Sequence, residues 1–144
     1  MLVQQILKSK GDGVVFTIKP GTLTSDAAKL LTEKNIGGLV VSSDGKTVDG
    51  ILSERDIVST LAARGGSCLS ETIDGMMTKN PVCCARSDTS DAVLARMTEG
   101  RFRHMPVVED GVLVGIVTIG DMVKARLQEL SMEKDALQGM IMGH

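Results

Sequence analysis

The sequence contains almost no aromatic side chains. Only 1% of its 144 residues are aromatic: two Phe are present, and Trp and Tyr are absent. Proteins that hold single-stranded nucleic acid usually stack the bases on aromatic rings, and many protein interfaces are enriched in Tyr and Trp. The composition therefore excludes both of these binding modes as the main function of the chain.

Strong net charge and long apolar runs are also lacking. The chain has 16 Lys and Arg against 18 Asp and Glu, whereas nucleic-acid binding relies on clustered positive charge. No apolar run approaches the roughly 20 residues of a membrane-spanning helix, and Met1 to Leu7 contains no signal-peptide core. The odd number of cysteines (Cys68, Cys83 and Cys84), without metal-ligand spacing, fits free thiols in a reducing compartment. We therefore expect a cytoplasmic protein with no metal site and no membrane or nucleic-acid partner.

The most informative feature of the sequence is a two-fold internal repeat. The run Gly50–Val58 matches Gly115–Val123, with Gly, Ser/Thr and Asp at the same spacing and a displacement of 65 residues. Upstream, Ile36–Val41 matches Phe102–Val107 with a displacement of 66 residues. Units of this length are too long for solenoid repeats, so the pattern indicates a duplicated small domain.

Each unit is predicted to follow the order β-α-β-β-α. The first unit has apolar strand patterns at 14–18, 38–41 and 48–52 and helical patterns at 24–34 and 54–64. The second has a strand at 82–85, a helix at 90–99, a hairpin within 105–114 that turns at Asp110-Gly111, and a helix from 119 to about 130. Units of this size bury little surface alone, so we expect an α+β fold in which both pack together with pseudo-two-fold symmetry.

The predicted domain boundaries follow from this repeat. The first domain, with a short N-terminal helix at 2–7, covers residues 1–66, and a linker rich in Gly and Ser covers 67–75. The second domain covers 76–126, and a C-terminal helical tail covers 127–144. In the tail, apolar residues recur every three or four positions around Lys134, which fits either a helix for a partner or a helix lying on its own domain.

The repeated Gly-x-x-Ser/Thr-x-x-Asp run lies where a strand passes into a helix. A carboxylate at Asp56 or Asp121 can accept hydrogen bonds from the two adjacent hydroxyls of a ribose, and the N–H groups of a helix start favour phosphate. The same spacing is typical of a helix cap, in which Ser53 or Thr118 and the Asp satisfy the helix N-terminus. Both interpretations remain open at the level of sequence.

A second pair of matched segments carries potential phosphate ligands in one unit only. Arg103 and His104 stand just before a strand, where their side chains could flank a phosphate group. At the matching places, Gly37 and Gly38 would let a ligand approach the backbone closely. Alternatively, Arg103 is a solvated surface residue and the two glycines form a turn.

These segments together resemble a tandem pair of CBS (cystathionine β-synthase) domains, also called a Bateman module. The matching pieces are Asn35–Val41, Gly50–Val58, Met76–Thr78, Arg103–Val108 and Gly115–Asp121. The chain is most similar to stand-alone bacterial proteins of two CBS domains. The resemblance implies a non-enzymatic regulatory module that binds adenosine-containing ligands (AMP, ADP, ATP, NAD or S-adenosylmethionine) between the units and signals by changed domain or dimer geometry. It also implies a homodimer and leaves room for an unidentified protein target; the alternative is a ligand-independent dimerisation or scaffold module.

The resemblance also implies which residues form the two clefts. The cleft that we expect to bind ligand first consists of Thr17, Ile36, Gly37, Gly38, Arg103, His104, Thr118 and Asp121. The second consists of Ser53, Arg55, Asp56, Cys83 and Met105. The second is less typical of the family, because Cys83 stands where Thr is common. With so few aromatic residues, we expect aliphatic side chains such as Ile36 and Met105 to hold the adenine.

An enzymatic function would have to use His104, since the other histidine is the last residue of the chain. Pairing of His104 with Cys83 or Cys84 is conceivable, but the sequence supplies no orienting third group and no oxyanion feature. We therefore expect no catalytic residue and no catalytic cofactor.

Overall fold

Two sheets with helices against them make up the described part of the chain, residues 1–11 and 15–142 of the computed structural model. The first unit comprises β1 (Thr17–Ile18), α2 (Thr24–Lys34), β2 (Gly38–Val41), β3 (Gly50–Ser53) and α3 (Glu54–Arg64), and helix α1 (Val3–Ser9) precedes it. Strand β4 (Thr78–Lys79) follows and joins the sheet of the first unit. The second unit comprises α4 (Ser90–Gly100), β5 (His104–Glu109), β6 (Val112–Thr118) and α5 (Ile119–Ile141). The α+β prediction is confirmed.

The first sheet has the strand order β1-β2-β3-β4. Strand β1 runs parallel to β2, with Thr17 opposite Val40, and β3 is antiparallel to both β2 and β4. The predicted strand at 14–18 is thus seen at Thr17–Ile18, while Val14 lies outside the described residues. Helices α2 and α3 contribute to one apolar core on this sheet: Ile18, Ala27, Leu31, Leu39, Val41, Leu52, Ile57 and Ile73.

The second sheet is the antiparallel pair β5 and β6, which turns at Asp110 and Gly111. Both turn residues have positive φ (51° and 78°), as a tight hairpin turn of this kind requires. The strand predicted at 82–85 is reduced to one bridge between Cys84 and Val107. Pro106 explains the difference, because it stands where the first unit has Val40 and offers no N–H to the ladder.

Matched backbone hydrogen bonds show that the two units have equivalent local structure. In the first unit Glu54 N donates to Gly37 O (2.9 Å), and the equivalent bond in the second unit runs from Ile119 N to Arg103 O (2.9 Å). Likewise, Ser42 N donates to Ile18 O (2.8 Å) in the first unit, and Val108 N donates to Cys84 O (2.8 Å) in the second. Equivalent bonds at displacements of 65 and 66 residues extend the sequence repeat to the backbone. They also place Cys84 at the position that Ile18 occupies in the first core.

Helix α1 packs on the second unit, although the sequence analysis assigned it to the first. Val3 and Ile6 are buried in the core of the second unit, and Val3 N donates to Asp88 O at 2.9 Å. The N-terminal ammonium also binds Glu129 of α5 at 2.7 Å. A helix of seven residues is not stable alone, so it lies where its apolar side chains find an uncovered apolar surface.

The segment predicted as a linker, 67–75, is a packed part of the first unit. It forms two short 3₁₀ turns, Gly66–Ser70 and Ile73–Gly75, and the side chains of Cys68 and Ile73 are fully buried. Strand β4, which was placed in the second domain, pairs with β3 of the first. Gly and Ser content predicted a linker between the domains, whereas the two buried apolar residues pack the segment against the first unit.

The helix predicted from 119 to about 130 and the helical tail predicted at 127–144 form one continuous helix, α5 (Ile119–Ile141). Met122 and Ala125 are buried against the second core, and Glu129 contacts the N-terminus and Ser90. In the described part of the chain, neither α5 nor any other helix is long and apolar enough to cross a membrane.

Candidate functional site

Both Ser/Thr-x-x-Asp runs form the N-terminal caps of helices. At the start of α3, Ser53 N donates to Asp56 Oδ2 (2.8 Å) and Asp56 N donates to Ser53 Oγ (3.3 Å). At the start of α5, Thr118 N donates to Asp121 Oδ2 (2.9 Å) and Asp121 N donates to Thr118 Oγ1 (3.1 Å). The capping interpretation is thus realised at both sites. It does not exclude ligand binding, because both caps use only Oδ2 of the carboxylate.

A cavity of about 580 Å³ opens between the two units beside the Ser53–Asp56 cap. Its volume falls within the usual range of small-molecule sites. Its lining is Gly37, Ile51, Ser53, Glu54, Arg55, Asp56, Thr78, Asn80, Pro81, Val82, Gly100, Arg101, Phe102, Arg103, His104, Thr118 and Ile119. One wall is therefore the start of α3, and the facing wall is the α4–β5 connection of the other unit.

Three arginines give this cavity the means to bind an anion. Arg55 lies in the first turn of α3, whereas Arg101 and Arg103 lie on the connection between α4 and β5. Arg101 ends α4 in the left-handed conformation (φ 57°). Guanidinium groups bind phosphate and carboxylate groups through paired hydrogen bonds, so the cavity suits a phosphorylated ligand.

His104 forms part of the contact between the units. Its ring lies against Gly37 and Gly38 so closely that a β-carbon on Gly38 would be 2.7 Å from His104 Cδ2. Burial lowers the pKa of His104 below its usual value, a shift that the nearby carboxylate of Glu54 opposes and the charge of Arg103 reinforces. Burial between the units therefore favours the neutral imidazole over the charged form.

The cavity brings together predicted residues from both expected clefts. It is lined by Gly37, Arg103, His104 and Thr118 of the first-choice set and by Ser53, Arg55 and Asp56 of the second. The remaining candidates lie elsewhere: Thr17, Ile36, Gly38, Cys83, Met105 and Asp121. Arg103 and His104 thus share a cavity with the Ser53–Asp56 cap, and not with Asp121 as the sequence analysis had placed them.

The region around Asp121 is occupied by a side chain. Lys10 Nζ donates to Asp121 Oδ2 at 2.8 Å and to Ile116 O at 3.0 Å. Among the described residues, the cavity next to Asp121 measures only about 40 Å³. The space beside Asp121, in the cleft that we expected to bind ligand first, is therefore filled by Lys10. The sequence prediction did not include Lys10, and the open cavity lies beside Asp56 instead.

The two aliphatic residues that were expected to hold the base, Ile36 and Met105, do not line this cavity. Met105 is fully buried in the second core, and Ile36 packs against the first core. The apolar surface of the cavity instead comes from Ile51, Val82 and Phe102, so one of the two phenylalanines contributes to the site after all. Because the sequence contains so few aromatic residues, Phe102 was not expected in the site.

Several further lining residues were missed at the sequence level. Arg101 directly precedes the Phe102-Arg103-His104 run, so extending that motif by one residue would have included it. Thr78 was quoted only as part of a family motif, and Asn80 carries no sequence signal except its neighbour Pro81. Asn80 has a positive φ (48°), which aligns the segment after β4 along the cavity.

The cysteines are poorly suited to nucleophilic chemistry. Burial raises the pKa of Cys84 to about 12 and also raises the pKa of Cys83. Cys83 Sγ donates to Pro81 O at 3.4 Å, and Cys83 is not part of the cavity lining. The thiolate that a nucleophile needs is therefore disfavoured at both positions. Within residues 1–11 and 15–142, no group of three or more His, Cys, Asp or Glu is arranged to hold a metal ion.

Comparison with known proteins agrees with this architecture. The family model for the CBS domain matches the chain twice, at residues 13–63 and 71–128. The mitochondrial CBS domain-containing protein CBSX3 of Arabidopsis thaliana is 32% identical over 98% of this chain and 72% of its own length. The crystal structure of a CBS-domain containing protein from Agrobacterium tumefaciens is 43% identical, with a TM-score of 0.83 over 88% of this chain and 99% of that one.

Two solved structures were determined with adenosine compounds. CBSX2 in complex with AMP is 33% identical, with a TM-score of 0.67 over 79% of this chain and 88% of that one. The CBS domain pair of protein MJ0100, in complex with 5′-methylthioadenosine and S-adenosylmethionine, is 26% identical, with a TM-score of 0.74 over 90% of this chain and 98% of that one. With two family matches that together span most of its length, the chain belongs to the CBS-domain family and carries a tandem pair of these domains.

Proposed function

We propose that this chain is a regulatory module that binds an adenosine-containing ligand in the cavity between its two units. AMP, ADP, ATP, NAD and S-adenosylmethionine are the candidates, and we expect the protein to act in the cytoplasm without catalysing a reaction. One observation carries the proposal: the 580 Å³ cavity places a capping carboxylate on one wall and three arginines within the same space.

The residues around the cavity suggest how such a ligand is held. In the described part of the chain, Asp56 Oδ1 accepts no hydrogen bond, so it is available to the hydroxyls of a ribose. Arg55, Arg101 and Arg103 are suited to the phosphate groups. Val82 and Phe102 offer the apolar surface against which the base would pack.

Binding at this place would couple the ligand to the relative position of the two units. Ser53 and Asp56 belong to the first unit, whereas Arg103 and Thr118 belong to the second. A ligand that contacts both units stabilises the arrangement in which all of these contacts form, and this difference in affinity is what permits signalling. We expect the response to reach a homodimer partner or a separate protein target.

A ligand-independent scaffold is the second candidate, and a specific observation favours it. Ser53–Asp56 and Thr118–Asp121 already satisfy the starts of α3 and α5 as capping boxes, so the repeated motif has a structural role without any ligand. On this alternative, the arginines are surface residues and the chain acts only by associating with itself or another protein.

Thermal unfolding with and without AMP, ATP, NAD or S-adenosylmethionine separates the two candidates. A ligand at a hundred times its dissociation constant adds about 2.7 kcal/mol, which is roughly 5–10 °C for a chain of this size. Asp56→Ala is expected to abolish the shift. Asp121→Ala is the matched control, because it removes the same cap residue from α5 but does not line the cavity.

Two outcomes would count against ligand binding in this cavity, and a third would count against the role of the arginines. No shift with any of the four compounds leaves only the scaffold. An equal loss of the shift in Asp56→Ala and Asp121→Ala would show that the cap, and not the cavity, determines the response. For a phosphorylated ligand, Arg103→Ala should weaken AMP more than S-adenosylmethionine, and the reverse order would contradict the assignment of the arginines to phosphate.

A further inference from the structure

Helix α4 ends at an arginine whose backbone lies in the left-handed region. Arg101 has φ 57° and ψ 41°, a conformation in which the β-carbon of most residues crowds the backbone. Gly and Asn are the residues that usually occupy this place at a helix end. The arginine therefore raises the free energy of the folded chain at this position.

The first unit shows what the end of such a helix requires. The equivalent position after α2 is Asn35, with φ 52° and ψ 49°. At both ends the next residue donates its N–H to the carbonyl five positions earlier, at 3.1 Å from Ile36 N and at 3.2 Å from Phe102 N. This hydrogen bond depends on the left-handed backbone and not on the side chain, so Asn would serve in place of Arg101 with less strain.

The glycine at the end of α4 stands one position before the left-handed residue. Gly100 is the last residue of the helix, where glycine weakens helical structure. A β-carbon at this place would overlap the ring of Phe102, which lines the cavity. The glycine thus makes room for Phe102 and leaves the left-handed position to Arg101. The order of these residues suits the cavity better than it suits the helix end.

The side chain of Arg101 is available to a ligand. Arg101 is exposed and lines the cavity together with Arg55 and Arg103. Among the residues that the structure describes, no carboxylate lies within 4.0 Å of any of these three guanidinium groups. A guanidinium group without an ion pair, held beside a cavity in an unfavourable backbone conformation, points to a role in binding.

We propose that Arg101 determines the specificity of the cavity by binding the second phosphate group of an adenosine ligand. The forks of Arg55 and Arg103 are suited to the three terminal oxygens of one phosphate group, and a third fork finds its partner on the next phosphate. ADP, ATP and NAD carry at least two linked phosphate groups, whereas AMP carries one and S-adenosylmethionine none. This inference rests on the proposed function and narrows its ligand class to these first three compounds.

Calorimetric titration of the full chain with AMP and with ADP tests the role of Arg101, because the two compounds differ by one phosphate group. ADP should bind about tenfold more tightly than AMP or better, as a charge-assisted pair of hydrogen bonds implies. Arg101→Asn should remove most of this ratio, whereas Arg103→Asn should weaken both compounds by similar factors. Arg86→Asn is the matched control, since this exposed arginine does not line the cavity and should leave both affinities unchanged.

Thermal unfolding without ligand tests the conformational cost. Arg101→Asn should raise the melting temperature by about 2–4 °C, because it relieves the left-handed backbone. Asn35→Arg makes the reverse change in the first unit and should lower the melting temperature by a similar amount. Loss of ADP affinity together with a gain in stability is a result that a purely structural role of Arg101 would not produce.

The outcomes separate this inference from the proposed function. AMP that binds as tightly as ADP, or an Arg101→Asn variant that keeps the wild-type ratio of affinities, would overturn the assignment to the second phosphate. An Arg101→Asn variant that melts below wild type would show that the arginine supports the fold. If AMP binds without any preference for ADP, only this inference fails, whereas binding of neither compound rejects the proposed function as well.

Discussion

The imidazole of His104 lies on the backbone of Gly38, so that a β-carbon at position 38 would stand 2.7 Å from His104 Cδ2. Gly38 begins β2 of the first unit, and His104 begins β5 of the second. These two positions are equivalent in the internal repeat. A histidine in one unit and a glycine in the other therefore let two similar surfaces pack closely, where two bulky residues could not.

This contact predicts that Gly38→Ala destabilises the protein. Because the added methyl group overlaps the ring, we expect the free energy of unfolding to fall by about 1–3 kcal/mol in urea denaturation. Gly75→Ala is the control, since a β-carbon there meets open space. In a His104→Ala background the cost of Gly38→Ala should largely disappear, and a cost that persists would show that the ring is not the obstacle.

The same histidine predicts a dependence of stability on pH. Burial is the main reason that its pKa lies below the ordinary value of 6.5 in the folded protein. The unfolded chain therefore binds a proton more readily, so the contribution of His104 is complete above pH 6.5 and is lost as the pH falls below it. Its charged neighbours are Glu54, Arg103, Lys10 and Asp121.

Denaturation at pH 7.5 and pH 5.5 measures this contribution. Wild type should lose stability between the two values, and His104→Gln, which has no ionisable group, should lose less. Equal losses in both proteins would mean that another group causes the dependence.

The two-fold repeat was sufficient to predict the α+β fold and the paired arrangement of units. The pattern of apolar residues and helix ends located α2, α3 and α4 well, because each buries at least one apolar residue and has an identifiable end. The strand at 82–85 was overestimated, since the loss of one N–H at Pro106 depends on which residue lies opposite, and sequence alone does not show the pairing register.

The candidate site was less predictable than the fold, because it depends on contacts between distant segments. Two copies of the Ser/Thr-x-x-Asp motif look equivalent in sequence, yet Lys10 from before the first unit reaches only Asp121. Arg101 and Phe102 line the cavity because of the conformation that the chain adopts directly after α4. Motif spacing indicates which residues are suited to a ligand, whereas the open volume depends on what else packs there.

The position of α1 predicts that a residue close to the N-terminus is important for stability. Ile6 is buried in the core of the second unit, so Ile6→Ala should lower the free energy of unfolding by about 2–5 kcal/mol. Lys8→Ala, an exposed change in the same helix, should have an effect within about 0.5 kcal/mol. If both variants unfold like wild type in urea, α1 is not docked on the second unit in solution.

The two helix caps differ in whether a cation binds the aspartate, which predicts unequal costs for the same substitution. Asp56 and Asp121 each accept the backbone N–H of their own cap, but only Asp121 also binds Lys10. Asp56→Asn and Asp121→Asn should each weaken a cap, and Asp121→Asn should cost about 0.2–1 kcal/mol more because the ion pair is lost as well.

A double-mutant cycle with Lys10→Met isolates this additional cost. In the Lys10→Met background the two Asp→Asn variants should become equally destabilising, as judged by urea denaturation at low salt. In 1 M NaCl, where the Debye length is about 3 Å, the difference should shrink in the wild-type background too, because both side chains of the pair are partly exposed. A difference that survives both removal of Lys10 and high salt would have to arise within the caps themselves and would contradict the assignment of the additional cost to the ion pair.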